Sequence, residues 1–600
     1  MNVNTKTGFD ILKVALAAGL ASDLLLRQMP WGLNVLLFNL GFVAGVVYLL
    51  RRRAPEQLTL QTMALLGAQV FFSAMFVWRS AGELRFADTL AIFAVLSALF
   101  LTRLNILPRV AGVAHYGISL VWSGLNALIS PLILVFSDIE WHSVEDAGWR
   151  KQAFSVVRGI AIAAPLVLIF GALFMAADAA YEGLVQRVFD FDATILFQHA
   201  FTFGFFAWLS AGYLRGVLLQ GAGVSGSVIF GGDDTDEPNK AEQKRSERGV
   251  SHMDRVRDDS GEYPVTLPDD HTVIEHINIS DAPDREARKA ETRAAGSVPF
   301  EDTERQKEKR LGWPNIENTI LPPSFTLGTV EVAVILGLMN LLFLSFVIVQ
   351  VPYLFGGMEL VKNTPDFKLA EYARRGFGEL VAVSALVLPV LLFGQWLIKK
   401  EAAKAQKLFK ILAAAQIALL FVVMASAVQR LVLLTGNLGY GMTTVRLYPL
   451  IFMTWLAIVF VWFGLTVLRG ARQHFAWGAL WSAFFVLAAT HVLNPDEFIV
   501  KTNVALMREG RQFDGYYNSN LSDDAMPALI EAFPDMSYDN QMDVLRKVRE
   551  RYCRSFNETD LRSWNISRTR TAHLLHSIST LQQQYGHCEE VWLPGEGMHD

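Results

Sequence analysis

The chain is short of charge and of cysteine. Only 18% of its 600 residues are Asp, Glu, Lys or Arg, against about a quarter in a soluble protein. A charged, water-facing surface over most of its length is therefore excluded. The two cysteines, Cys553 and Cys588, both lie in the last polar segment, and no Cys/His set has metal-ligand spacing. Glycine-rich loops are few. GAGVSG (221–226) and YLFGG (353–357) stand outside a strand-to-helix context, so they do not make nucleotide-binding turns. No nucleophile elbow is present. We expect no cofactor and no metal. The net charge of −5 is small and unevenly spread, and no nucleic-acid partner is expected.

Long apolar stretches are abundant. The chain is 52% hydrophobic, with a mean hydropathy of +0.30. The plainest stretch, 31–50 (WGLNVLLFNLGFVAGVVYLL), stops at Arg51, Arg52 and Arg53. A helix of roughly 20 apolar residues crosses a hydrocarbon core, and lipid leaves no partner for unpaired backbone groups. The expected fold is all-α, a polytopic transmembrane helix bundle with a small soluble helical C-terminal domain. Spans are expected at about 10–27, 31–50, 58–78, 84–102, 156–177, 194–219, 329–355, 376–398, 407–434, 444–469 and 474–493. Lys6 and Lys13 precede an apolar run as in a signal peptide. Asp23 and Arg27 then follow without a small-residue cleavage site, so we read a retained first span.

Residues 113–136 are long enough to cross but carry His115, Asn126 and Pro131. Positive charge decides how to count them. If this stretch spans, Arg103 and Arg150 fall on opposite faces. If it lies in the interface or re-enters, then Arg51–Arg53, Arg103, Arg109, Arg150, Lys151, Arg158 and Arg215 share one face. Lys399, Lys400, Lys404, Lys407, Lys410, Arg469 and Arg472 join them. That count is eleven spans, with twelve or thirteen as the alternatives. It puts the N-terminus in the cytoplasm and the C-terminus in the periplasm of a bacterial cytoplasmic (inner) membrane. The cysteine pair fits the same side: Cys553 and Cys588 are candidates for one disulfide in an oxidising compartment, two free thiols being the other reading.

Four segments follow: a transmembrane half over 1–220, a linker over 221–322, a second transmembrane half over 323–493 and a helical domain over 494–600. The linker mixes both charge signs with few aromatics (GGDDTDEPNKAEQKRSERG), a composition that buries too little surface to fold. It is read as disordered and cytoplasmic, either a solvated spacer or a docking site for a cytoplasmic protein. In the last segment, Pro495, Asp496 and Glu497 start a helix, and Ser522–Asp524 precede AMPALIEAF in a capping pattern. Residues 540–556 and 567–584 have helical apolar spacing.

Ionisable residues in or beside spans are the candidates for function, since each is costly in lipid unless it faces the bundle interior or water. Asp178, His199, Glu371, Arg374, Arg375, Glu379, Arg430, Tyr440 and Arg446 fall towards the outer face under this topology. Two readings stay open: a ligand or lipid-headgroup site, or ion pairing between helices. Glu331 and the deeper Asn340 either step a cation inward or bond neighbouring helices. Asp88 and Asp23 sit nearer span ends and are expected to reach water.

FMAADAAYEGL, LGTVEVAVILGLMNLLFLSFVIVQVPYLFGG and LAEYARRGFGELVAV, followed by YGMTTVRLYPLIFMTWL and NPDEFIVKTNVALMREGRQFDGYYNSNLSDDAMPALI, appear in that order. Together they resemble a family of bacterial polytopic membrane proteins known as a domain of unknown function (the 4173/4153 type). The likeness covers most of 156–530 apart from the linker. It implies a bacterial cytoplasmic-membrane protein and no particular activity. Three functional classes remain: an envelope-facing binding, sensory or scaffold protein, our first reading; a secondary transporter using Glu331 and Glu379; and, last, an enzyme on a lipid-linked substrate. Membrane lipids are the expected partners in all three, and the sequence leaves the oligomeric state open.

Overall fold

The computed structural model describes residues 3–139 (28 and 105 excepted), 193–219, 328–355, 377–398, 402–432, 435–436, 441–557 and 560–577. The expected span at 156–177, the linker, Asp178, Glu371, Arg374, Arg375, Tyr440 and Cys588 lie outside these residues. Every long element among the described residues is a helix. The first half gives α1 (Val3–Leu25), α2 (Leu33–Arg53), α3 (Leu60–Trp78), α4 (Gly82–Phe100), α5 (Val113–Ile133) and α6 (Ala193–Leu218). The second gives α7 (Thr329–Phe355), α8 (Phe377–Leu397), α9 (Ala403–Val432), α10 (Thr444–Thr466) and α11 (Phe475–Leu493). Shorter helices follow: α12 (Pro495–Arg508), α13 (Gly515–Asn520), α14 (Met526–Glu531), α15 (Tyr538–Asn557) and α16 (Ile566–His576).

Eight helices among the described residues are long and apolar enough to cross a membrane. This is a polytopic membrane helix bundle. In lipid, apolar side chains gain little by leaving one apolar medium for another, so packing relies on close backbone approach and polar contacts. Both are visible. A Cβ on Gly212 of α6 would collide with the carbonyl of Ala127 and lie 2.6 Å from that of Asn126, so α5 and α6 meet where glycine lets them. Asn340 of α7 donates its Nδ2 to the Leu412 carbonyl of α9 at 3.0 Å. Near the end of α6, the fully buried Arg215 meets Asp138 beyond α5 through two guanidinium nitrogens, at 2.5 and 3.3 Å.

One apolar core holds α1–α6, and a second holds α7–α10. Helix α11 joins them: Phe475 belongs to the second core, while Phe484, flanked by Trp477 and Trp481, belongs to the first. A third core unites α12–α16 with Met442 and Leu447 at the start of α10. Pro495 opens α12 at its first helical position, where a missing N–H costs nothing. Cys553 of α15 is disulfide-bonded and buried in this core; the chain has one other cysteine, Cys588.

Candidate functional site

A helix leaves its first N–H groups and last C=O groups without partners of its own. At one end of the bundle these orphans are met by side chains and backbone of the C-terminal helices. The turn Arg79–Ala81 between α3 and α4 is the centre. The Asp524 Oδ2 accepts from the Ser80 N–H at 2.7 Å, the Ala81 N–H at 3.1 Å and the Ser80 hydroxyl at 3.0 Å. An aspartate 444 positions away from Ser80 therefore caps the start of α4. Asn565, buried in the turn before α16, donates Nδ2 to the carbonyls of Phe76 and Arg79 at 2.9 Å each, closing the end of α3.

The same pattern surrounds this centre. The Leu33 N–H, first in α2, donates to the Trp564 carbonyl at 2.9 Å. A side chain on Gly32 would strike that carbonyl. Arg562 Nη1 donates to the Leu24 carbonyl in the last turn of α1 at 2.7 Å. Ahead of α10, Asn503 bonds both the N–H and the C=O of Met442, at 2.6 and 3.0 Å, and the Thr444 N–H donates to the Tyr517 hydroxyl at 2.8 Å.

Arg79 ties the seam to α11. Its Nε and Nη2 donate to the His491 carbonyl at 2.9 and 2.6 Å, Nη1 lies 3.4 Å from Asp524 Oδ1, and the guanidinium stands 4.5 Å over the Trp78 ring. Beneath it, His491 Nε2 lies 2.9 Å from Asp88 Oδ1, both side chains essentially fully buried. The imidazole stacks on Trp78 with centroids 6.5 Å apart. Neither His491 Nδ1 nor Asp88 Oδ2 has a hydrogen-bond partner.

Asp496, in the first turn of α12, accepts from the Ser522 N–H at 3.0 Å while its other oxygen has no partner. Burial pushes its carboxyl above the usual aspartate value despite the Ser522 bonds, and Glu83 and Asp524 add to the rise. Its neighbour Glu497 is shifted the other way. Burial pushes that carboxyl up, but bonds from Lys501 and Asn494 outweigh it and hold it below the ordinary value. No group of three His, Cys, Asp or Glu side chains able to hold a metal occurs among the described residues.

The residues named from sequence are dispersed. His199 of α6 pairs with Asp23 of α1, its Nδ1 2.8 Å from Oδ2. Arg446 donates to the Gly441 carbonyl in the loop before α10, and Arg430 is buried in the last turn of α9. Glu331 and Glu379 stand exposed in the first turns of α7 and α8. The seam is built from other side chains. Asp88, expected to reach water, is buried because α11 brings His491 against it, and Asp23 is half-buried against His199. One signal pointed to such partners: an ionisable group within an apolar run has to find one.

The model of the Domain of unknown function (DUF4153) matches residues 66–227 and 296–532. The chain belongs to the DUF4153 family. Within this DUF4153 protein the matched stretches contain Arg79, Asp88, His491, Asp496 and Asp524, whereas Leu24, Leu33, Asn565 and Arg562 lie outside them. No curated protein and no solved structure matches the chain.

Proposed function

We propose that this DUF4153 protein is an envelope-facing sensory or scaffold protein of the bacterial cytoplasmic membrane, with its N-terminus in the cytoplasm and its C-terminal helices on the periplasmic side. The observation that carries the reading is the capping of helix ends. The C-terminal helices supply hydrogen-bond partners to the ends of α1, α2, α3, α4 and α10, so a displacement of these helices is felt by spans in both halves. The opposite end carries Arg51–Arg53, Arg109, Arg215 and Arg472, the bias that marks a cytoplasmic face. The buried Asp88–His491 contact lies at the same junction and ties α4 to α11. The linker, 221–322, is the segment through which such a displacement would reach a cytoplasmic partner. Glu331 and Glu379, exposed at the surface, lend less support to an internal ion path.

Two measurements test this. Membrane-impermeant thiol reagents on intact cells are expected to label Cys553 only after reduction; labelling that needs permeabilised cells would put the C-terminal helices in the cytoplasm and end the proposal. In inverted membrane vesicles, limited proteolysis of the linker is expected to differ between wild type and Asp524→Ala. Identical cleavage would mean that nothing passes from the seam to the linker.

A further inference from the structure

Helix α5 runs on through a π-helical turn to Asp138, and these 26 residues are long and apolar enough to cross a membrane. At 1.5 Å per residue they reach about 39 Å. Trp208 reaches the Leu128 carbonyl at 2.8 Å from nearer the middle of α6; the other partners of these residues, however, lie at one end of the bundle. Just before α5, the Arg109 carbonyl meets His474 Nδ1 at 3.3 Å, next to the start of α11. Ser119 donates to the Ser97 carbonyl at 2.6 Å, in the last turn of α4. In the middle, Asn126 packs under Gly212 and Gly216 in the last two turns of α6. Beyond the end, Asp138 bonds Arg215 of α6, and its carbonyl lies 3.4 Å from the Thr5 hydroxyl in the first turn of α1. Ile139 packs at Gly8 of the same helix. Arg53 donates to the Lys6 carbonyl at 3.1 Å, so the arginines closing α2 share this end. A spanning helix would carry its two termini to opposite ends.

The faces of α5 agree. His115, Ser119, Ser123, Asn126 and Ser130 are buried against the bundle. Leu120, Val121, Leu125, Leu128, Leu132 and Phe136 point away from it, 40 to 66% exposed. We propose that α5 lies in the plane of the membrane, in the leaflet on the Arg51–Arg53 side, with this apolar stripe among the lipid acyl chains. Lipid is the occupant because the stripe carries no charge and flanks the outward faces of α4 and α6, where Phe93, Phe201 and Phe205 are likewise exposed. In-plane amphipathic helices bury an apolar face about 5–10 Å into the headgroup–acyl boundary. The placement is independent of the proposed function, which needs only the C-terminal side to be correct.

The test is depth measurement. Single cysteines at Leu120, Leu128 and Phe136 are labelled with a fluorophore under non-reducing conditions, where disulfide-bonded Cys553 is unreactive. The protein is reconstituted in phosphatidylethanolamine–phosphatidylglycerol vesicles containing phosphatidylcholine with nitroxides at shallow or deep acyl positions. The expected result is quenching at all three sites with one shared shallow depth, within about 5 Å. Labels at Ile458 and Leu465 of α10, exposed and seven residues apart on a helix long and apolar enough to span, calibrate the method with a separation of about 10 Å. A depth gradient approaching about 24 Å over the sixteen residues from 120 to 136 would make α5 a span and overturn the proposal. Absence of lipid quenching would overturn it as well, since protein or water would then cover the stripe.

Discussion

Replacing Asp524 with alanine strips four partners from one oxygen: the Ser80 and Ala81 amides, the Ser80 hydroxyl and the Ser522 hydroxyl at 3.2 Å. Ala81 is 1% exposed, so water cannot readily replace the carboxylate there. Leaving a buried donor unsatisfied costs about 1–3 kcal/mol, and losing a helix-capping side chain about 1 kcal/mol. The Ser80 N–H is only partly buried, so the two amides together should weaken the start of α4 by about 3 kcal/mol rather than the sum of the maxima. Since 1.4 kcal/mol is tenfold, amide hydrogen exchange at Ser80 and Ala81 should speed up roughly a hundredfold in protein held in lipid nanodiscs. Asp524→Asn keeps one acceptor oxygen but loses the charge that strengthens such bonds, and about tenfold is expected. If both variants exchange within threefold of wild type at these two amides, the carboxylate is not what holds the hairpin, and the seam argument fails.

Four further outcomes are expected. Gly212→Leu should lower the thermal midpoint sharply, overpacking against backbone carbonyls costing about 1–3 kcal/mol, while Gly204→Leu on the same helix meets open space and should change it little. Arg215→Ala should cost about 3 kcal/mol in denaturation, the low end for a broken buried pair, because it strands the half-buried Asp138 carboxylate. Asp496 holds its proton more tightly folded than unfolded, so it favours the folded state at low pH and loses that advantage as pH rises from the usual aspartate value through the raised one. Asp496→Asn should therefore raise the thermal midpoint at pH 7, with the gain vanishing near pH 3; a gain independent of pH would refute the assignment. Reducing the disulfide at Cys553, if Cys588 closes the loop, should loosen α15 and α16 by about 3–4 kcal/mol, read by exchange in those helices.

Most of the bundle was legible because length and apolarity are local properties. The expected spans at 31–50, 58–78, 376–398 and 474–493 coincide with α2, α3, α8 and α11 to within a few residues. The capping pattern at Ser522–Asp524 marks a local helix start, and Ser522 does accept from the Asp524 N–H. The larger role of Asp524 was hidden, because a carboxylate that caps a helix 443 positions away from Ala81 leaves no spacing to read. The same holds for Asp88 and His491, 403 positions apart, each near one end of an apolar run. For α5 the distinguishing trait is the spacing of four, four, three and four from His115 to Ser130. That spacing marks which face is buried, but it cannot say whether the helix stands upright or lies flat.

The cap of α4 has a consequence for biosynthesis. Ribosomes adding roughly 5–20 residues per second need about 20–90 s after making Ser80 to reach Asp524. Through that interval the α3–α4 hairpin lacks the partner of its opening amides, and that of the last carbonyls of α3, which Asn565 later takes. A product truncated before 524 lacks the partners that Asp524 and Asn565 supply to those groups. The ends of α3 and α4 thus close only when the far end of the chain has been made.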